Sequence, residues 1–198
     1  MITYTYLILA CWLAFAGYWA FSAPRAKKNI RGPSFRNGMY FRVALIVAVV
    51  VVAHVTGNKY WLWHAGPALH TDSVHGLFSS TLVRSIGVAL CAFGIALAIW
   101  ARTVIGRNWG MPMSQKENPE LVTSGPYAHI RHPIYTGTLT AVLGSTLTLG
   151  AILFIPFLFF GAYFIYSAMR EEATMARLFP GTYTEYRRRT SMLIPFVL

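Results

Sequence analysis

From Ile134 to Met169 the chain runs for 36 residues without one charged side chain. At 1.5 Å per residue, a single helix of that length would be nearly twice as long as the roughly 30 Å hydrocarbon core of a bilayer. The run must therefore fold back. The bend is expected at Leu149 and Gly150, giving a tight helical hairpin whose second arm is expected to kink at Pro156. Three further apolar runs precede it, over residues 2–23, 39–57 and 82–105. The first ends at Pro24, basic residues follow rather than precede it, and no small-residue cleavage pattern is evident, so it reads as a retained span and not a signal peptide. The second is short but can span if Arg42 snorkels to the interface. The fold class expected is all-α, a polytopic integral membrane protein of about five transmembrane helices. A balance of 56% hydrophobic to 12% charged residues agrees with bilayer as the solvent.

The basic residues set an orientation for these spans. Arg25, Lys27, Lys28, Arg31, Arg36 and Arg42 follow the first; Arg102, Arg107, Lys116 and Arg131 follow the third; Arg170, Arg177, Arg187, Arg188 and Arg189 follow the fifth. Only Lys59 and Arg84 fall on the other side, so 15 of the 17 basic residues occupy alternate loops. The N-terminus is expected outside and the C-terminus in the cytosol. A net charge of +11 would suggest nucleic acid in a soluble chain, but here the charges lie in the gaps between apolar runs, as in basic membrane loops, and no nucleic-acid partner is expected. Residues 58–80 mix Tyr60, Trp61, Trp63, His64, His70 and His75, a composition suited to a membrane surface. Cys11 and Cys91 sit inside apolar runs with no Cys or His at ligand spacing, so neither a disulfide framework nor a metal site is expected.

Chemistry is concentrated in two places. The first is Gly125-Pro126-Tyr127-Ala128-His129-Ile130-Arg131-His132-Pro133. A Gly-Pro turn leads into Pro133 at a position where the first turn of a helix tolerates a missing amide hydrogen. A helix N-terminus is thereby presented beside Arg131 and His132, which suits a carboxylate or phosphate; an ordinary basic membrane anchor is the other reading. The second is the pair Glu171-Glu172 after the last span. Carboxylates near a helix C-terminus are opposed by its dipole, which leaves a bound cation or a plain solvated surface as the two explanations. Residues 170–179 suit a helical extension stopped by Pro180 and Gly181. A short helix with Tyr183, Tyr186 and the arginine cluster follows, before Ile194, Pro195 and Phe196 turn apolar again.

Taken together, Leu121-Val122-Thr123-Ser124-Gly125-Pro126-Tyr127, Arg131-His132-Pro133-Ile134-Tyr135 with Gly137, Glu171-Glu172, and then Phe179, Gly181, Tyr183, Tyr186, Arg189 and Ile194-Pro195 resemble the isoprenylcysteine carboxyl methyltransferases and their phospholipid-methylating relatives. The resemblance covers residues 100–195. It divides the chain into residues 1–99, three spans without signature, and residues 100–198, a catalytic region of loop, hairpin and tail. It implies S-adenosylmethionine as cofactor, bound by a cytosolic loop: Gln115, Leu121, Val122 and Tyr127 around the adenosine, His132 and Tyr135 at the start of the fourth span, and Glu171 toward the methionine amino group. It also implies supporting roles for Arg131 and Glu172, with Arg189 and Arg170 as candidates for holding a carboxylate. A substrate-orienting Arg precedes the acidic pair by one helical turn in the prenylcysteine enzymes; here that position is Ser167.

A carboxylate acceptor needs no general base, whereas an amine must lose a proton, for which His129 or one of the glutamates is available. No Gly-rich dinucleotide turn or strand-helix alternation is present. The polar run 107–112 reads equally as a cover for a cofactor and as a plain connector. Two further classes share part of the pattern. A membrane sterol-type reductase shares an Arg-His-Pro-like motif and a Tyr-rich tail but has a longer chain with more spans. A haem-binding or scaffold protein would need an axial His inside a span, where only His54 lies, without a partner. The partners expected are the bilayer and a lipophilic or prenylated substrate.

Overall fold

The structure, a computed structural model, describes residues 2–32, 80–150 and 153–194. The second expected span, the surface stretch up to residue 79, and Pro195 and Phe196 lie outside the described residues. Five helices occur among those described: α1 (Ile2–Ser22), α2 (Thr81–Ile105), α3 (Pro133–Leu149), α4 (Phe154–Leu178) and α5 (Thr182–Arg189). The segments Thr3–Arg25 and Thr81–Asn108 are long and apolar enough to cross a membrane. α3, at 17 residues, and the uncharged part of α4, residues 154–169, are shorter than the ~20 residues that a crossing ordinarily takes.

The expected hairpin is present. α3 ends at Leu149, Gly150 takes φ +128°, a value that favours glycine, and α4 begins four residues later. Pro156 is the third residue of α4, not an interior one, so its missing amide hydrogen removes no helical bond and the expected kink has no cause. α4 then continues unbroken past Glu171 and Glu172 to Leu178, and Gly181, at φ +83°, separates it from α5.

Side chains fix the helix directions. Tyr4 pairs with Ser85 and Tyr18 with Thr103, so α1 and α2 run parallel. α3 runs against α2 along a seam of small residues: Gly87, Cys91, Gly94 and Ala98 face Gly137, Ala141, Gly144 and Thr148. The two backbones nearly touch. A methyl group at Gly137 would come within 2.6 Å of the Gly94 carbonyl oxygen and 2.8 Å of the Ala98 nitrogen. Such close approach supplies the van der Waals contact that holds helices together where lipid removes the hydrophobic drive. The buried Ser145, Thr146 and Thr148 and the half-buried Thr138 and Thr140 of α3 sit there at little cost, because each donates to the carbonyl four residues earlier. Trp12 of α1 donates to Ser145 across the bundle.

As a result, the C-terminal ends of α1, α2 and α4 and the N-terminal end of α3 lie together. Arg102, 2% exposed, ties two of them by donating to the Gly106 carbonyl at 2.7 Å and the Ser22 carbonyl at 2.8 Å, with its guanidinium 4.6 Å from the Trp109 ring centroid. One cation thus caps the exposed carbonyls of α1 and α2 and opposes both helix dipoles. At the same end, β1 (Asn29–Arg31) pairs antiparallel with β2 (Gln115–Lys116), and the Lys116 ammonium donates to the Lys27 carbonyl. This patch was not expected, because strands of three and two residues carry no readable alternation.

Gly161 on α4 has nothing within 4 Å of an added methyl, in contrast to Gly94, where the α3 backbone fills that space. Gly94→Ala is expected to lower stability by about 1–3 kcal/mol through overpacking, while Gly161→Ala leaves it unchanged or raises it by about 0.5–1 kcal/mol through helix propensity. Thermal unfolding of both variants in detergent checks this; effects of the same sign and size would contradict the seam.

Candidate active site

The loop before α3 and the acidic end of α4 meet at two carboxylates. Glu172 is 8% exposed and accepts from Arg131 Nε at 2.6 Å. His132 Nε2 stands 3.6 Å and Arg187 Nε 3.5 Å from the same carboxylate. Glu171, one residue earlier and hence about 100° around the helix, is more open, at 25% exposed. Its Oε1 accepts from the Tyr135 hydroxyl at 2.5 Å and the Met113 amide at 2.9 Å, and its Oε2 lies 3.5 Å from His132 Nδ1. The His132 and Tyr135 rings stack at 5.4 Å, and Tyr135 stacks in turn on Phe164 of α4 at 4.5 Å. Because α4 extends to Leu178, both glutamates lie well before its final turn, so the dipole opposition expected from the sequence falls away and the cations opposite hold the pair.

The tail closes over this cluster. Arg131 and His132 donate their amides to the carbonyls of Ser191 at 2.9 Å and Met192 at 3.1 Å; Ser191 returns a bond to His129, making a parallel bridge between Ile130 and Ser191. Thr136 donates to the Leu193 carbonyl at 2.6 Å. The Arg131 guanidinium reaches the carbonyls of Arg187 and Thr190, and the Tyr186 hydroxyl donates to the Tyr127 carbonyl at 2.7 Å. Met113 delivers its amide to Glu171 from φ +62°, a backbone region that bulky residues rarely occupy.

Of the residues singled out from the sequence, Arg131, His132, Tyr135, Glu171 and Glu172 come together here. Tyr127 is buried in the turn Gly125–Ala128, beside them. Gln115 sits in β2, two residues beyond Met113; Leu121 and Val122 are half-buried in the irregular stretch that follows, and no hydrogen bond or ion pair among the described residues joins these three to the carboxylates. Arg170 is exposed and outside the cluster, and His129 contributes only its backbone. Arg189 pairs with Glu185 on the outer side of α5. The tail arginine that reaches Glu172 is Arg187, and the sequence pointed neither to it nor to the Met113 amide. The spacing of Tyr183, Tyr186 and Thr190 could have revealed the inner face of α5, but nothing in the sequence marks Met113. Ser167, one turn before the acidic pair, is fully buried and donates to the Tyr163 carbonyl.

Burial opposes charging of His132, but Glu171 and Glu172 outweigh it and raise its pKa above the usual histidine value. Burial likewise works against the Glu172 carboxylate, yet His132 and Arg131 hold it below the usual range. Tyr186 is pushed up to about 12, chiefly by burial, and burial drives Tyr127 and Tyr183 higher still, so these phenols act near neutrality as donors and not as bases. A histidine whose folded pKa is raised contributes its full stabilisation below the unfolded value, 6.5, and loses it as pH rises through the folded value. The stability of the wild type relative to His132→Gln, followed by thermal unfolding across that range, is therefore expected to shrink as pH rises above 6.5; a difference that stays flat or grows would contradict the assignment.

The family model described as phospholipid methyltransferase matches residues 82–182, just over half of the chain. A nickel-cobalt-cadmium resistance protein of Alcaligenes xylosoxydans xylosoxydans is 27% identical over 76% of this chain and 62% of its own length. A protein-S-isoprenylcysteine O-methyltransferase of Schizosaccharomyces pombe is 30% identical over 63% of this chain and 53% of its own. The solved structure of a eukaryotic intramembrane Ras methyltransferase, an isoprenylcysteine carboxyl methyltransferase, shares the fold with a TM-score of 0.53 at 22% identity, covering 84% of this chain and 55% of that one. The chain thus spans between half and two thirds of the length of each. Since the matched segment runs from the second residue of α2 to the first of α5 and includes the loop, the hairpin and both glutamates, the chain belongs to the phospholipid methyltransferase family.

Proposed function

We propose that this chain is an S-adenosylmethionine-dependent methyltransferase acting at the cytosolic membrane surface on a lipid-like acceptor with an isoprenylcysteine-type carboxylate. The observation that carries the reading is the meeting of the Arg131-His132 loop with Glu171-Glu172 under a clamped tail, in a chain of this family. The residues fit the cofactor's zwitterionic end. The Glu171 carboxylate faces a phenol, an amide and a histidine but no arginine or lysine, and His132 Nε2 is buried without a hydrogen-bond partner.

S-adenosylmethionine, when bound, supplies a methyl group on a positive sulfonium. Glu171, with Tyr135 and the Met113 amide orienting its carboxylate, would hold the methionine amino group, and Gln115, Leu121, Val122 and Tyr127 would flank the adenosine. Arg131 bonds to Glu172 and the tail, so it would support the site by positioning it. Transfer to a carboxylate cancels opposite charges, which a dry, low-dielectric site favours. No base is then required, and the chain contributes positioning. An amine acceptor, as in phospholipid N-methylation, would require a base, and the exposed position of His129 outside the cluster argues against it in that role.

The test is calorimetric titration of purified protein with S-adenosylhomocysteine and with NADPH. Binding of the former, weakened about 10-fold or more in Glu171→Ala by loss of a charge-assisted contact, is expected; affinity for NADPH alone would replace this reading with a membrane reductase. The orientation proposed places the basic ends of α1, α2 and α4 in the cytosol. A reporter fused after Leu198 is expected to read as cytosolic, and an external signal would reverse the orientation.

A further inference from the structure

We propose that Arg187 is the residue that grips the anionic head of the acceptor and so selects carboxylates, an assignment that rests on the methyltransferase reading above. Three arginines end α5, and their neighbours set their direction. Tyr183 is buried, Tyr186 bonds to the Tyr127 carbonyl, and Thr190 meets Arg131. Residues 183, 186 and 187 therefore lie on one side of the helix at the i, i+3, i+4 spacing, and Thr190 follows directly at its C-terminal end. Arg188 and Arg189 fall outside that stripe, and Arg189 is held by Glu185. Of the three, Arg187 is the one that reaches Glu172.

Its position is that of a residue at a mouth. The side chain is 66% exposed, yet its Nε lies 3.5 Å from a carboxylate that is 8% exposed. Glu172 is already matched by Arg131 at 2.6 Å, so the charge of Arg187 is not consumed there. The single contact engages the Nε edge of the guanidinium, and among the described residues the two Nη groups have no side-chain partner. A guanidinium fork anchored along one edge and open at the other is suited to bidentate capture of a carboxylate. The approach to it is apolar: Ile165 and Met169, seven and three residues before Glu172 on α4, are 39% and 60% exposed. An amphiphile lying along that side of α4 would bring its head to Arg187 and its acceptor oxygens beside Glu171 and His132.

The experiment uses the full chain in phosphatidylcholine nanodiscs with saturating S-adenosylhomocysteine, titrated calorimetrically with a farnesylated thioacetate and with its methyl ester. The wild type is expected to prefer the carboxylate by about 10-fold, the scale of one charge-assisted hydrogen bond. Arg187→Gln is expected to abolish the preference, Arg187→Lys to restore part of it, and Arg188→Gln to leave it unchanged. A preference that survives Arg187→Gln, one that is lost in Arg189→Gln instead, or none in the wild type overturns the assignment of Arg187. S-adenosylhomocysteine binding is measured on each variant. Retained binding keeps the methyltransferase reading intact when the arginine assignment fails, and a wild type that does not bind it overturns both.

Discussion

The end of this molecule that carries the candidate site depends on one buried ion pair. Arg131 and Glu172, each 8% exposed, join the loop before α3 to the last third of a helix that starts at the other end of the bundle. The same guanidinium reaches the carbonyls of Arg187 and Thr190, so loop, α4 and tail are fixed by a single side chain. Such a pair is not a net source of stability, because desolvation of both charges offsets their attraction. Its effect is on geometry. Losing one partner strands the other in a dry place, at a cost of about 3–5 kcal/mol, so arrangements that keep the three segments together are favoured over those that part them.

That pair can form because the helices bring the right ends together. The glycine seam between α2 and α3 sets the depth at which α3 begins, and Pro133 opens α3 directly after Arg131 and His132. Parallel packing of α1 on α2 places the segment after each at this same end, where β1 and β2 join them and Arg102 caps both helices. The loop carrying Met113 is thus held from behind by the strand patch and can present its amide to Glu171. Small residues far from any carboxylate in this way determine where the carboxylates sit.

Much of this was legible in the sequence, and for physical reasons. An uncharged run too long for one crossing has to fold back, a proline suits the first turn of a helix, and Pro180-Gly181 suits the end of one; each holds in the structure. The convergence of Arg131-His132 with Glu171-Glu172 followed from a family resemblance, since no local pattern places residues 40 positions apart in contact. What escaped notice depends on tertiary phase. Three consecutive arginines do not say which one faces inward; that is decided by Tyr183 and Tyr186 on the same helix. The amide of Met113 escaped because backbone groups are common to every residue, and only the fold gives this one its left-handed conformation and its partner.

The two adjacent glutamates show how one helix turns identical side chains into different groups. Successive residues differ by about 100° around the axis. Glu172 therefore points to the packed side, where Arg131 neutralises it, and Glu171 points toward the loop, where it meets a phenol, an amide and an imidazole. No arginine or lysine is paired with it among the described residues. Because His132 lies between the carboxylates, within 3.6 Å of both, the charge it carries is shared between the committed glutamate and the open one. A cationic ligand arriving at Glu171 would compete with protonation of His132 for the same negative field. Ligand affinity and the state of that imidazole would consequently be coupled through a distance set by the one-residue offset between the two acids.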